Sequence, residues 1–195
     1  IPYSAKVQFE KVSASILKVN CNHSFGHHAG TISVLKLCEM AKKQGVAIAS
    51  VINSNHCGAM GYYSQLATSQ GMIGIAMTQA TARMPAPQSQ TKTVGNNPIS
   101  FGFPTASSDP IIFDAAQSKT TFNAVNVAKT EGRLLDDGLI LDARGRPTNN
   151  PEVADQLVPI GDYKGFGLAM CVDLLTGGLG GQFLGEQVTQ MFDKK

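Results

Sequence analysis

Residues 46–78 constrain the fold of this chain more than any other stretch. They begin with Val46-Ala47-Ile48-Ala49-Ser50-Val51-Ile52, an apolar, β-branched run too short for an ordinary helix and suited to a buried strand. A polar hexapeptide follows, Asn53-Ser54-Asn55-His56-Cys57-Gly58. Residues 59–69 can then form a helix, with Gly71 as its stop, and 72–77 reads as a second strand. The hexapeptide therefore falls between the C-terminal end of a strand and the N-terminal end of a helix. Open α/β structures place ligands there, because helix-end amides face outward. His56 is the candidate within it. On this loop alone it can be either a hydrogen-bonded loop histidine or a proton-transfer group.

A chain of 195 residues suffices for one domain with a sizeable core. Only 15% of residues are charged against 43% hydrophobic, a balance that suggests some surface covered by a partner chain. The net charge of +2, with no basic cluster interleaved with aromatics, gives no reason to expect a nucleic-acid partner. No apolar run reaches membrane-spanning length, so no membrane partner is expected either. Cys21, Cys38, Cys57 and Cys171 are widely spaced without a CxxC pair, which points to thiols in a reducing, cytoplasmic compartment.

Before the central stretch, residues 6–20 alternate loosely and predict one or two short strands. Residues 20–30 form a polar loop carrying His23, His27 and His28. With Cys21 these could ligate a metal, but a loop that starts a helix and lines a cleft accounts for them better. In the helix that follows, Val34, Leu35, Cys38 and Ala41 fall at helical spacing, and Gly45 is the stop. Residues 78–97 predict one long irregular loop. Residues 99–103 and 111–114 read as strands, the second ending on Asp114 before the small Ala115 and Ala116. Residues 122–130 can be helical, and 136–151 are rich in turns. Lys164 and Gly165 then open a segment, 168–176, that is apolar nearly all round and predicts a buried helix ended by Gly177-Gly178. A lysine at the mouth of such a helix needs an anion or a carbonyl to receive it, which makes Lys164 the second candidate.

Five motifs occur in order: Asn53-Ser54-Asn55-His56-x-Gly58-x-x-Gly61-Tyr62-Tyr63, Gly95-x-Asn97-Pro98-Ile99, Phe113-Asp114-x-Ala116-x-Ser118, Leu141-Asp142-x-x-Gly145-x-Pro147-Thr148 and Lys164-Gly165-x-Gly167-Leu168. Together they resemble the type-2 malate/L-lactate dehydrogenases, which include ureidoglycolate, sulfolactate and diketogulonate oxidoreductases. The resemblance implies an α/β fold of non-Rossmann type, a mixed β-sheet flanked by helices, in agreement with the absence of GxGxxG. It implies hydride transfer between NAD or NADP and C2 of a small 2-hydroxy or 2-oxo acid, and a homodimer. Carried over residue by residue, it makes His56 the acid/base and places cofactor contacts on Phe113, Asp114, Ala115, Ala116, Lys164 and Gly165. No metal is implied. Family members are longer at both ends, so residues 1–195 are expected to be a single cofactor-binding core without the family's N-terminal helical region and C-terminal closing segment. Two other readings stand beside this one: a catalytically silent module with a binding or structural role, and a zinc-dependent hydrolase using His23, His27, His28 and His56.

Overall fold

The computed structural model describes residues 5–188 of the chain. In order these form strands β1 (Gln8–Lys11) and β2 (Ile16–Asn20), helix α1 (Gly26–Gln44), β3 (Ile48–Ile52), α2 (Met60–Thr68) and β4 (Gly74–Met77). Then come β5 (Met84–Pro85), β6 (Lys92–Val94), β7 (Ile99–Phe103), β8 (Ile111–Ala115) and α3 (Phe122–Thr130). The short strands β9 (Ile140–Leu141), β10 (Pro147–Thr148) and β11 (Gln156–Leu157) precede α4 (Tyr163–Asp173). The chain divides into two compact units, one built from residues 1–77 and 99–114, the other from 78–98 and 115–195. The architecture is α/β, with helices set against several small sheets instead of one wide one. Among the described residues, no helix is long and apolar enough to cross a membrane.

In the first unit β2 pairs antiparallel with β1 and parallel with β3, making a mixed three-stranded sheet. A parallel pair needs a crossover, and α1 supplies it. Gly45 ends α1 in the left-handed conformation, its N–H bonded to the Ala41 carbonyl at 2.8 Å. Of the stripe expected on α1, Cys38 is buried and Val34 and Ala41 are half-buried. Ala29, Leu37 and Met40 pack beneath Leu17, Val19 and Cys21, while Leu35 is exposed. The run at 46–52 is not a fully buried strand either. Only Ile52 is buried, with Ile48 61% exposed, because β3 has just one partner strand, at the edge of its sheet.

Strand β4 does not rejoin β3. It pairs antiparallel with β7 in a second sheet of order β4-β7-β8, so the strand-loop-helix-strand stretch spans two sheets. Helix α2 ends at Thr68, and Gly71 adopts its left-handed φ of 73° in the turn beyond the cap. Gly74 and Gly102 face each other across the β4–β7 ladder, and a Cβ on either would lie 2.7 Å from the Ser64 carbonyl oxygen. Their missing side chains let α2 lie directly on the sheet, where the buried hydroxyls of Ser64 and Ser100 pair at 2.6 Å.

In the second unit the expected loop at 78–97 contains an antiparallel ladder, β5 with β6. The apolar signal there is carried by only two residues, Met84 and Val94, both buried in a core with Val125, Ile140, Leu157 and Ala169. Helix α3 has the expected bounds and is capped by Thr121, whose hydroxyl accepts from the Ala124 N–H. Helix α4 is buried along one stripe only, Gly165, Ala169, Val172 and Asp173, with Leu168 and Met170 exposed. It passes into a π-helical turn, Leu174–Gly178.

Candidate functional site

The parallel register of β2 and β3 fixes the first part of the site. Parallel neighbours release their following loops at the same end of the sheet, so the loop entering α1 lies beside the loop entering α2. The two are laced together. Cys21 N–H donates to Ile52 O and His23 N–H to Asn53 O, at 3.0 and 2.8 Å. Asn53 Nδ2 donates to Asn20 Oδ1, and Asn55 Nδ2 to the carbonyls of His23 and Ser24. Asn22, His23 and Asn53 hold positive φ angles of 47°, 59° and 52°, a region that Asn and His tolerate better than most residues. This explains the density of Asn and His in both loops.

His56 lies exposed in the second loop, and among the described residues its ring nitrogens make no hydrogen bond with the chain. Its imidazole meets that of His27 edge to face, with centroids 5.6 Å apart. His27 in turn stacks on Phe25 at 4.6 Å, and its Nδ1 is buried without a partner. Gly58, at φ 74°, makes room for this pair, since a Cβ there would lie 2.6 Å from His27 Nε2. The Tyr63 hydroxyl donates to the Cys57 carbonyl at 2.5 Å and pins the same loop from α2. Burial, then the neighbouring Cys57 and Tyr62, push the Tyr63 phenol well above its ordinary range, so it remains a donor. Burial likewise raises the Cys21 thiol, despite its hydrogen bond with Ser54.

Asp114 is placed in this unit. Its Oδ2 accepts from the Gly61 N–H at 2.7 Å, so the carboxylate holds the first turn of α2, where the helix dipole favours an anion. Phe113, beside it on β8, is exposed and lies 6.4 Å from the Phe101 ring. The small Ala115 and Ala116 are half-buried at the start of the second segment of the second unit.

Lys164 and Gly165 belong to the second unit, on the first turn of α4. Lys164 is exposed, so holding its charge there costs no desolvation and the burial argument for it fails. Among the described residues no carboxylate forms an ion pair with it. The amides of Lys164, Gly165 and Phe166 are bonded to Gly161 O, Ile160 O and Asp162 O, leaving the ammonium as the group available to an anion. Gly165 is buried, and a Cβ there would lie 2.6 Å from the Gln117 carbonyl. Close packing is thus enough to require glycine at that position.

Two features had no role assigned from sequence. Asn97 is fully buried: its Oδ1 accepts from Ala80 N–H at 2.8 Å, and its Nδ2 donates to Ala169 O and Asp173 Oδ1 at 2.9 and 3.2 Å. Asp173, 4% exposed, completes its bonding by accepting from the Gly185 N–H. A charged residue in an otherwise apolar helix was the available signal. The second feature is a polar cavity of about 580 Å³ around the Lys92–Asp155 ion pair, Arg83, Gln90, Gln156 and Glu186. It contains none of the expected site residues. A smaller hollow, of about 440 Å³, includes His27 and so adjoins the His56 loop. Among the described residues, no three His, Cys, Asp or Glu side chains converge to hold a metal ion, which leaves the zinc reading without a ligand set there.

The family model described as malate/L-lactate dehydrogenase matches residues 1–195. A (2R)-3-sulfolactate dehydrogenase (NADP(+)) from Chromohalobacter salexigens is 31% identical, over 94% of this chain and 56% of its own length. A Δ1-pyrroline-2-carboxylate/Δ1-piperideine-2-carboxylate reductase from Pseudomonas syringae is 34% identical, over 89% of this chain and 52% of its own. Among solved structures, a dehydrogenase from Sinorhizobium meliloti superposes with a TM-score of 0.91 at 30% identity, covering 96% of this chain and 56% of that one. The chain spans about half the length of the curated relatives it matches.

Proposed function

This chain belongs to the malate/L-lactate dehydrogenase family, and from that membership we propose that it forms the core of an oxidoreductase moving a hydride between NAD or NADP and C2 of a small 2-hydroxy or 2-oxo acid. The observation that carries this reading is His56, an imidazole presented in an exposed loop with both nitrogens unengaged by the chain and its ring set against His27. An imidazole works near neutral pH and can take the hydroxyl proton as hydride leaves C2, then return it in the reverse direction. When bound, the nicotinamide supplies the two-electron chemistry. The chain's residues fit such a cofactor in part. The unpaired Lys164 ammonium suits a phosphate or carboxylate, the exposed Phe113 ring suits a flat group, and Ala115 and Ala116 leave the backbone open to approach. Asp114 acts indirectly, by fixing the turn that carries the His56 loop into α2. Which acid is used is not carried over, since the relatives are named for different ones. A homodimer working in the cytoplasm is part of the same proposal, supported by the low charge content and the thiol cysteines.

Nucleotide fluorescence tests the proposal on the chain itself. NADH or NADPH fluorescence should change saturably on mixing, and Lys164→Ala should weaken that binding. In the longer protein, His56→Ala should leave binding nearly intact and lower turnover by roughly two to four orders of magnitude. No saturable change at millimolar nucleotide, or full turnover without the His56 ring, would refute it.

A further inference from the structure

The hollow beside the His56 loop is lined by Phe25, His27, His28, Thr31 and Tyr62. Its volume of about 440 Å³ lies within the range of small-molecule sites, roughly 300–1,000 Å³. We propose that it receives the side chain of the substrate, and that it selects a 2-hydroxy or 2-oxo acid whose side chain is apolar and uncharged, an aryl or branched alkyl group, over one that ends in a second anion. This rests on His56 as the acid/base.

Three observations carry the inference. First, the hollow adjoins the reacting group: His27 is one of its walls, and the same imidazole meets His56 edge to face at 5.6 Å. A substrate whose C2 hydroxyl is at His56 needs to extend its side chain by about one ring width to enter. Second, no Lys, Arg, Asp or Glu lines the hollow. A second carboxylate or sulfonate placed there would leave water with only the imidazoles of His27 and His28, and no permanent cation, to receive it. Third, the two hydroxyls that line the hollow are already engaged. Thr31 Oγ1 donates to the His27 carbonyl at 2.7 Å and lies 3.4 Å from the Tyr62 hydroxyl. What remains on offer is largely aromatic surface, with Phe25 45% and Tyr62 50% exposed although His27 stacks on one face of Phe25.

The experiment is a titration of the 195-residue chain with phenyllactate or with malate, both with NADP+ present. Histidine and tyrosine ring protons are followed by NMR at pH 8, above the ordinary range of imidazole. Phenyllactate should move the His56, His27, His28 and Tyr62 resonances together and saturate at a concentration at least about tenfold below malate, the discrimination expected when a charged group meets an apolar pocket. Thr31→Arg, which adds a cation to the wall, should narrow or reverse that preference. Malate saturating as readily as phenyllactate on the unaltered chain would overturn the proposal. So would phenyllactate moving His56 while His28 and Tyr62 stay still, an outcome that leaves the His56 assignment standing. If neither acid moves His56, both readings fall. Resonances in the hollow that move with protein concentration and no ligand would give it to a second copy of the chain, and would also overturn the proposal.

Discussion

Replacing Asn97 by Ala should destabilise the second unit more than any surface change, and the size of the loss follows from its bonds. The amide is fully buried and serves three groups. Removing it orphans the Ala80 N–H and takes one of two donors from the Asp173 carboxylate, which is itself 4% exposed. The Ala169 carbonyl lies within α4, where helical bonding compensates, so it adds little. A buried unsatisfied group costs about 1–3 kcal/mol, and more when charged, which puts the total at about 3–5 kcal/mol. Whole domains have only about 5–15 kcal/mol to lose. The chain has no tryptophan, so urea unfolding is best followed by far-ultraviolet circular dichroism. With m near 2 kcal/mol/M, the midpoint should fall by roughly 1.5–2.5 M. Asp173→Asn provides a sharper check. Both Asp173 oxygens accept hydrogen bonds, from Asn97 Nδ2 and from Gly185 N–H, and an amide at that position opposes one of these donors whichever way it is turned. It should cost about 1–3 kcal/mol although its shape is unchanged. If either variant unfolds within about 0.5 kcal/mol of the parent, the size expected of an ordinary surface substitution, the reasoning about this network is refuted.

Gly58→Ala should lower the melting temperature by about 2–8 °C, because a left-handed alanine costs roughly 1–2 kcal/mol and its Cβ meets His27 Nε2. The His27–His56 ring contact should vanish from NOE spectra in the same variant, and its persistence would show that the loop adapts without moving His27. Asp142 gives a pH prediction. Backbone N–H and side-chain bonds from Arg146, with the Arg144 amide, hold its folded pKa below the ordinary 3.8. A depressed carboxyl contributes stability that is fully present above the unfolded value and is lost as pH falls through the folded one. The stabilities of the parent and Asp142→Asn should therefore differ at neutral pH and converge below about pH 3.8, as read by urea midpoints across that range; a gap that stays constant into acid would rule the linkage out. Tyr63→Phe should remove the tyrosine that resists ionisation at high pH, so ultraviolet difference titrations of parent and variant should coincide through the ordinary phenol range and part only above it.

Local chemistry alone carried much of this protein. Gly45 after a polar last turn, Thr121 before α3, the β-branched run at 48–52 and the alternating run at 99–103 specify their elements through local preferences. The five motifs in order likewise pointed to the family without a structure. What the chain could not declare locally was pairing. Nothing within 72–77 states that its partner is 99–103, or that Gly74 and Gly102 must both lack side chains for one helix to fit. The strands at 84–85 and 92–94, of two and three residues, are too short to show alternation and exist only because a core closes over Met84 and Val94. Asn97 and Asp173 look like a loop amide and a stray charge until folding brings them within 3.2 Å. His27 and His56, 29 positions apart in sequence, meet only because β2 and β3 run parallel and release their loops at the same end of one sheet. Residue type determines which chemistry is possible at a position. Long-range pairing decides which of those possibilities share a site, because it is set by loop closure and burial over the whole chain.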